Sequence, residues 1–138
     1  MSWKEDCFYA LDQAKMFENS GHRTRFVELM DCYSDAPFFT PGLCKCMYLS
    51  AWDEVHFCIM LEVLNEMSLG RESDTKEMRI KGDALEEETQ TAEQYVYKLS
   101  NAFLDDVPFD AKEPADLPED IRYIVRRALM AAAVIDAV

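Results

Sequence analysis

Apolar side chains recur at steps of three and four along most of this chain, and nowhere between turn signals do they alternate one-for-one with polar residues. A period near 3.6 puts apolar groups on one face of a helix, whereas a half-buried strand needs a period of two. Turn residues are also scarce, with 4 glycines and 5 prolines in 138 residues, which argues against a β-sandwich. The expected fold is all-α: a single domain over residues 1–138, built as a bundle of five to seven helices. A chain of this size buries roughly two thirds of its unfolded surface, enough for one core.

The helices can be placed one by one. Trp3, Cys7, Ala10, Leu11, Ala14 and Phe17 mark a first helix over residues 3–19, expected to end at Ser20-Gly21 with glycine in the left-handed cap. Thr24 then caps a second helix, which Ala36-Pro37 stops. Thr40-Pro41 starts a third, with threonine as cap and proline in the first turn. Asp53 caps a fourth, near 54–67, whose middle, Phe57-Cys58-Ile59-Met60-Leu61, is apolar nearly all round. That pattern predicts the central helix of the bundle. A long charged helix near 72–104 follows, kinked or broken near Gly82, with a split at Gly82-Asp83 as the alternative. An acidic, proline-containing connection at about 105–118 leads to a last helix beginning at Leu117 or Pro118, where Asp116 and Glu119 have capping-box spacing. Its buried stripe is Ile121, Ile124, Val125, Ala128, Leu129, Ala132 and Ile135.

Charge narrows the function. With 27 acids against 14 bases the formal net charge is −13, which removes the basic face that phosphate neutralisation requires. No apolar run is long enough to span a bilayer, and the N-terminus has no secretory pattern. Five cysteines is an odd count, so a closed disulfide framework within the chain is impossible. The expectation is a cytoplasmic protein with free thiols.

Three constellations are candidates for chemistry. Cys32, Cys44, Cys46, His56 and Cys58 have the donor types of a zinc-stabilised module. Two residues apart on a helix point about 200° from one another, however, so Cys44 and Cys46 cannot share an ion, and neither can His56 and Cys58. Glu62 with Glu66 and Asp83 with Glu87 are carboxylate pairs one turn apart, the donors an all-α, Mg²⁺-dependent nucleotide pyrophosphohydrolase would need. Asp53 and His56 stand at i and i+3 like half of a di-metal carboxylate centre; the other histidine, His22, has Glu18 four residues before it.

Two features suit recognition better. Phe38 and Phe39 are adjacent rings in a proline-bounded turn, and the connection from Asp105 to Asp120 sets seven acids against Lys112 alone. The expected role is that of a small acidic binding protein acting on a protein partner with a basic surface, one version being a nucleic-acid-mimicking inhibitor, and needing no cofactor. Glu86, Glu87, Glu88, Glu93, Asp105, Asp106, Phe109, Phe38 and Phe39 are the expected contacts.

Overall fold

The computed structural model describes residues 3–32, 40–70, 76–89, 92–109 and 117–138. The chain is an all-α bundle. Its helices among these residues are α1 (Trp3–Gln13), α2 (Ser20–Cys32), α3 (Pro41–Ser50), α4 (Glu54–Gly70), α5 (Lys76–Glu88), α6 (Gln94–Asp105) and α7 (Glu119–Asp136). The Phe38-Phe39 turn and Asp116 lie outside the described residues, as do the side chains of Cys32 and of residues 67–70.

The centre of the bundle is α3, not α4. Every side chain from Leu43 to Leu49 is buried, and α2, α4, α6 and α7 all pack against this one helix. In α4, by contrast, Val55 and Cys58 are exposed and Phe57, Ile59 and Leu61 only half-buried. The reason lies in the charges. Glu54, Glu62 and Glu66 hold one face of α4 in water, whereas the single charge of α3, Lys45, has a nearly buried side chain whose ammonium reaches the exposed carboxylate of Asp136 of α7 at 2.8 Å. Its ammonium also sits 5.8 Å from the Phe103 ring centre.

Both ends of α3 are secured. Thr40 Oγ1 accepts the Leu43 N–H at 3.1 Å, the cap its sequence predicts. At the other end the Arg25 guanidinium of α2 donates to Ala51 O at 2.7 Å and Trp52 O at 2.9 Å, satisfying carbonyls that the helix leaves open.

Helix boundaries differ from the sequence reading at two places. The first helix ends at Gln13, where Lys15 takes φ 57° and the Met16 N–H donates to Leu11 O at 3.0 Å in a Schellman closure, with Met16 buried. Ser20-Gly21 opens α2 instead of closing α1, because the Asn19 carboxamide accepts the His22 N–H at 2.9 Å and serves as the cap expected of Thr24. Likewise the long charged helix is two helices, α5 and α6, packed on each other, and Gly82 lies inside α5 rather than at a break. A β-carbon on Gly82 would stand 2.0 Å from the Asn101 carboxamide oxygen. The glycine serves the crossing of the two helices. The last helix matches expectation closely: Ile121, Val125, Ala128, Ala132 and Ile135 are buried, joined by Ala131, while Ile124 and Leu129 are half-buried.

Gly42 tests the central packing. A β-carbon there would lie 2.2 Å from the backbone oxygen of Phe103, so α3 and α6 approach more closely than any side chain permits. Gly42→Ala should destabilise the fold by about 1–3 kcal/mol, the usual cost of overpacking, and not stabilise it as a helical Gly→Ala change ordinarily does. Urea denaturation of the two proteins measures the difference.

Candidate functional site

A small cleft with a cavity volume of about 50 Å³ opens between the end of α3 and α4, α5 and α6. Ile59, Met60 and Val63 of α4, Met78 and Leu85 of α5, and Val96 and Leu104 of α6 give it apolar walls. Its polar groups are Ser50, His56, Lys81, Tyr97, Ser100 and Asn101.

His56 stands at the edge of this cleft, in the first turn of α4. Asp53, the cap of α4, accepts both the His56 backbone N–H at 2.8 Å and its ring Nδ1–H at 2.7 Å. Glu93, ahead of α6, brings a carboxylate oxygen to 3.2 Å from Nε2 of the same ring. That oxygen lies off the N–H direction, so Nε2 is buried and close to a charge without an aligned hydrogen bond. Burial by itself would lower the pKa of His56, but the Asp53 bond and the two carboxylates outweigh it and the net shift is upward. The imidazole hydrogen bonds and charge in turn outweigh burial of Asp53 and hold its carboxyl below its ordinary value.

Asp53, His56 and Glu93 are the only group of three metal-ligand side chains that approach one another among the described residues. The two carboxylates address different ring nitrogens. A cation on Nε2 therefore finds Glu93 as its neighbour, while Asp53 acts through Nδ1. The sequence places Asp53 beside His56 by helical spacing, but Glu93 comes from a distant helix start. Only the pairing of α5 with α6 brings it there.

The zinc candidates are dispersed. Cys44 meets Cys7 in the core, Cys46 donates to Ser100 O at 3.1 Å with burial pushing its thiol up to about 12, and Cys58 is exposed. Of the carboxylates considered for Mg²⁺, Glu62 and Glu66 lie on the outer face of α4, Asp83 is paired with Arg79, and Glu87 is exposed near the end of α5. None of the four belongs to the one group of converging ligands among the described residues.

His22 has a structural place. It is fully buried, its Nδ1 accepts the Glu18 N–H at 3.1 Å, and its Nε2–H donates to Tyr48 O at 2.9 Å. That pattern fits the neutral ring, and burial lowers its pKa. A group held neutral in this way stabilises the fold above its unfolded value of 6.5, and the contribution is lost as pH falls through the lower folded value. Wild type should therefore lose urea resistance between neutral and mildly acidic pH. His22→Gln should start less stable at neutral pH and show a smaller acid-dependent loss.

Several acids expected at a partner surface have internal work. Asp105 accepts the Arg79 Nε–H at 2.8 Å, Asp106 takes φ 54° as the C-cap of α6, and Glu86 accepts the buried Asn101 carboxamide N–H at 3.0 Å. Phe109 is half-buried edge-on to Tyr95 at 5.2 Å. Glu87 and Glu88 are exposed. Reversing all three neighbours is therefore not uniform: Glu86→Lys should cost about 1–3 kcal/mol by stranding the Asn101 donor. Glu87→Lys and Glu88→Lys should each stay within about 0.5 kcal/mol. Thermal melts of the single variants separate them.

Among the described residues no helix is long and apolar enough to cross a membrane. No family model, no curated protein and no solved structure matches the chain.

Proposed function

We propose that this chain is a small acidic protein-binding domain of the cytoplasm that docks a basic surface of another protein. The observation that carries the reading is the outer face of α4. Exposed Glu54, Val55, Cys58, Glu62 and Glu66 fall within about 120° of arc at 100° per residue. No lysine or arginine occurs between Lys45 and Arg71. Elsewhere cations are interleaved with acids, as in Arg23 with Asp12, Arg79 with Asp83 and Asp105, and Arg126 with Glu119. Three exposed glutamates, with no cation among them, and exposed Val55 thus share one face of α4, with Glu87 and Glu88 on α5, which packs beside it. This face replaces the connection after Asp105 as the preferred contact.

Charge density favours ordinary docking over imitation of nucleic acid. Three glutamates between residues 54 and 66 are spread over about 18 Å of helix, one per about 6 Å, whereas a duplex carries one charge per about 1.7 Å. Hydrolysis of nucleotides has less support, because its carboxylates are divided between the outer face of α4 and the Arg79 ion pair.

A field of this kind acts chiefly on the rate of association and reaches about 8 Å at physiological ionic strength. The test uses an array of lysine- and arginine-rich peptides read at low and raised salt. The wild-type chain should bind a subset with an association rate that falls steeply with salt. Glu62→Lys with Glu66→Lys should lose that binding while keeping the melting midpoint, since both side chains are exposed. Binding that ignores salt, or survives the double variant, would remove α4 as the docking face.

A further inference from the structure

The His56 side chain is nearly buried, and its Nε2 is a buried polar atom without a hydrogen-bond partner among the described residues. A Glu93 carboxylate oxygen stands 3.2 Å away, off the direction in which an N–H would point. Neither state of this nitrogen is well served by the protein alone. With a hydrogen it has no acceptor in line, and with a lone pair it faces an anionic oxygen. A cation bonded to both atoms satisfies both. Two atoms held about 2.0–2.1 Å from one tetrahedral ion stand about 3.3 Å apart, with the ion to one side of the line joining them. The separation of Nε2 from Glu93 matches that spacing, and the misalignment that spoils a hydrogen bond is what a shared ion requires.

We propose that His56 Nε2 and Glu93 bind a first-row divalent cation of the Zn²⁺ class, with Asp53 holding the imidazole from behind through Nδ1–H. Asp53 accepts that ring hydrogen at 2.7 Å and, as the cap of α4, the His56 backbone N–H at 2.8 Å. Metal-bound histidines are ordinarily supported in this way, because the carboxylate fixes the tautomer and makes the opposite nitrogen a better donor. Glu93 occupies the N-cap of α6 without a side-chain cap bond to that helix, and its carboxylate reaches His56 instead.

Charge and space agree with the geometry. With a neutral ring the three residues carry two negative charges, whose field reaches Tyr97: burial first, then Glu93 and Asp53, raise its phenol, and its ring lies 5.5 Å from the imidazole. Lys81 of α5 lines the same cleft but is exposed, so its opposing charge is screened. The Asp53 and Glu93 side chains are nearly half exposed, which gives an ion a path from solvent, and the cavity of about 50 Å³ beside His56 has room for its waters. Imidazole nitrogen with carboxylate oxygen suits Zn²⁺ and its neighbours, whereas Mg²⁺ and Ca²⁺ prefer oxygen alone. Two protein ligands leave positions to water, so the ion is exchangeable. The site lies on a different face of α4 from the glutamates of the docking surface, and shares only His56 with the cysteine set read from the sequence.

The experiment strips the full chain with a chelator, adds Zn²⁺ alone, and reads stoichiometry by equilibrium dialysis and the coordinating atom by ¹H–¹⁵N correlation of the histidine rings. The wild-type chain should take up one ion, shifting Nε2 of His56 and leaving the His22 ring unmoved. Excess Mg²⁺ should not displace it. Glu93→Gln should weaken uptake by about tenfold or more, and Asp53→Asn, which keeps a capping oxygen for α4, by about 10–100-fold. His56→Gln should abolish it, and Cys58→Ser should bind as the wild type does. The wild-type ring resonances decide the matter even where a variant fails to fold. No uptake from a modest excess of Zn²⁺, coordination through Nδ1, displacement by Mg²⁺, indifference to Glu93→Gln, or loss in Cys58→Ser would each overturn the site.

Discussion

Burial of every side chain of α3 from Leu43 to Leu49 is the constraint on which the rest of this fold depends. A helix covered over most of its length gains from having its ends capped and its charge paired, because a buried polar group without a partner is costly. Thr40, Arg25 and Asp136 meet these needs, and each comes from a different part of the chain. Close approach also limits side-chain size: Gly42 against the Phe103 carbonyl, and Gly82 against Asn101 one layer further out, let α6 sit between α3 and α5.

Acidity and structure are less separable here than a net charge suggests. Asp105 and Asp83 hold Arg79, Glu86 holds the Asn101 carboxamide, Glu18 accepts the Tyr123 hydroxyl at 3.0 Å, and Asp136 receives Lys45. Many carboxylates are thus committed to joining helices. Glu54, Glu62 and Glu66, exposed on the outer side of α4, lie where cations are missing from the sequence. That helix therefore gives Met60, Val63 and Leu64 to the core and its glutamates to the surface.

What could be read from the sequence was local. Thr40-Pro41 and Asp53 are caps because a short oxygen-bearing side chain before a helix has few other uses, and the stripe of α7 is legible because its period is uninterrupted. The choice of central helix was misread because hydrophobicity alone ranks α4 above α3. It takes the Asp136 partner, ninety-one residues on, to admit Lys45 to the interior. The break between α5 and α6 was misplaced for a related reason: glycine marks a turn or a close crossing with the same letter, and only the opposite helix decides. The candidate site was half visible, since Asp53 and His56 are neighbours in sequence while Glu93 arrives through tertiary packing.

Putting the most enclosed helix early in the chain also shapes how the protein acquires its structure. When α1 to α3 have been made, the apolar belt from Leu43 to Leu49 has α2 and, through Cys7, α1 to lie against, while α6 and α7 are still to come. Closing the belt requires contacts between α3 and segments that begin at Gln94 and Glu119, so the decisive contacts are distant in sequence despite the all-helical architecture.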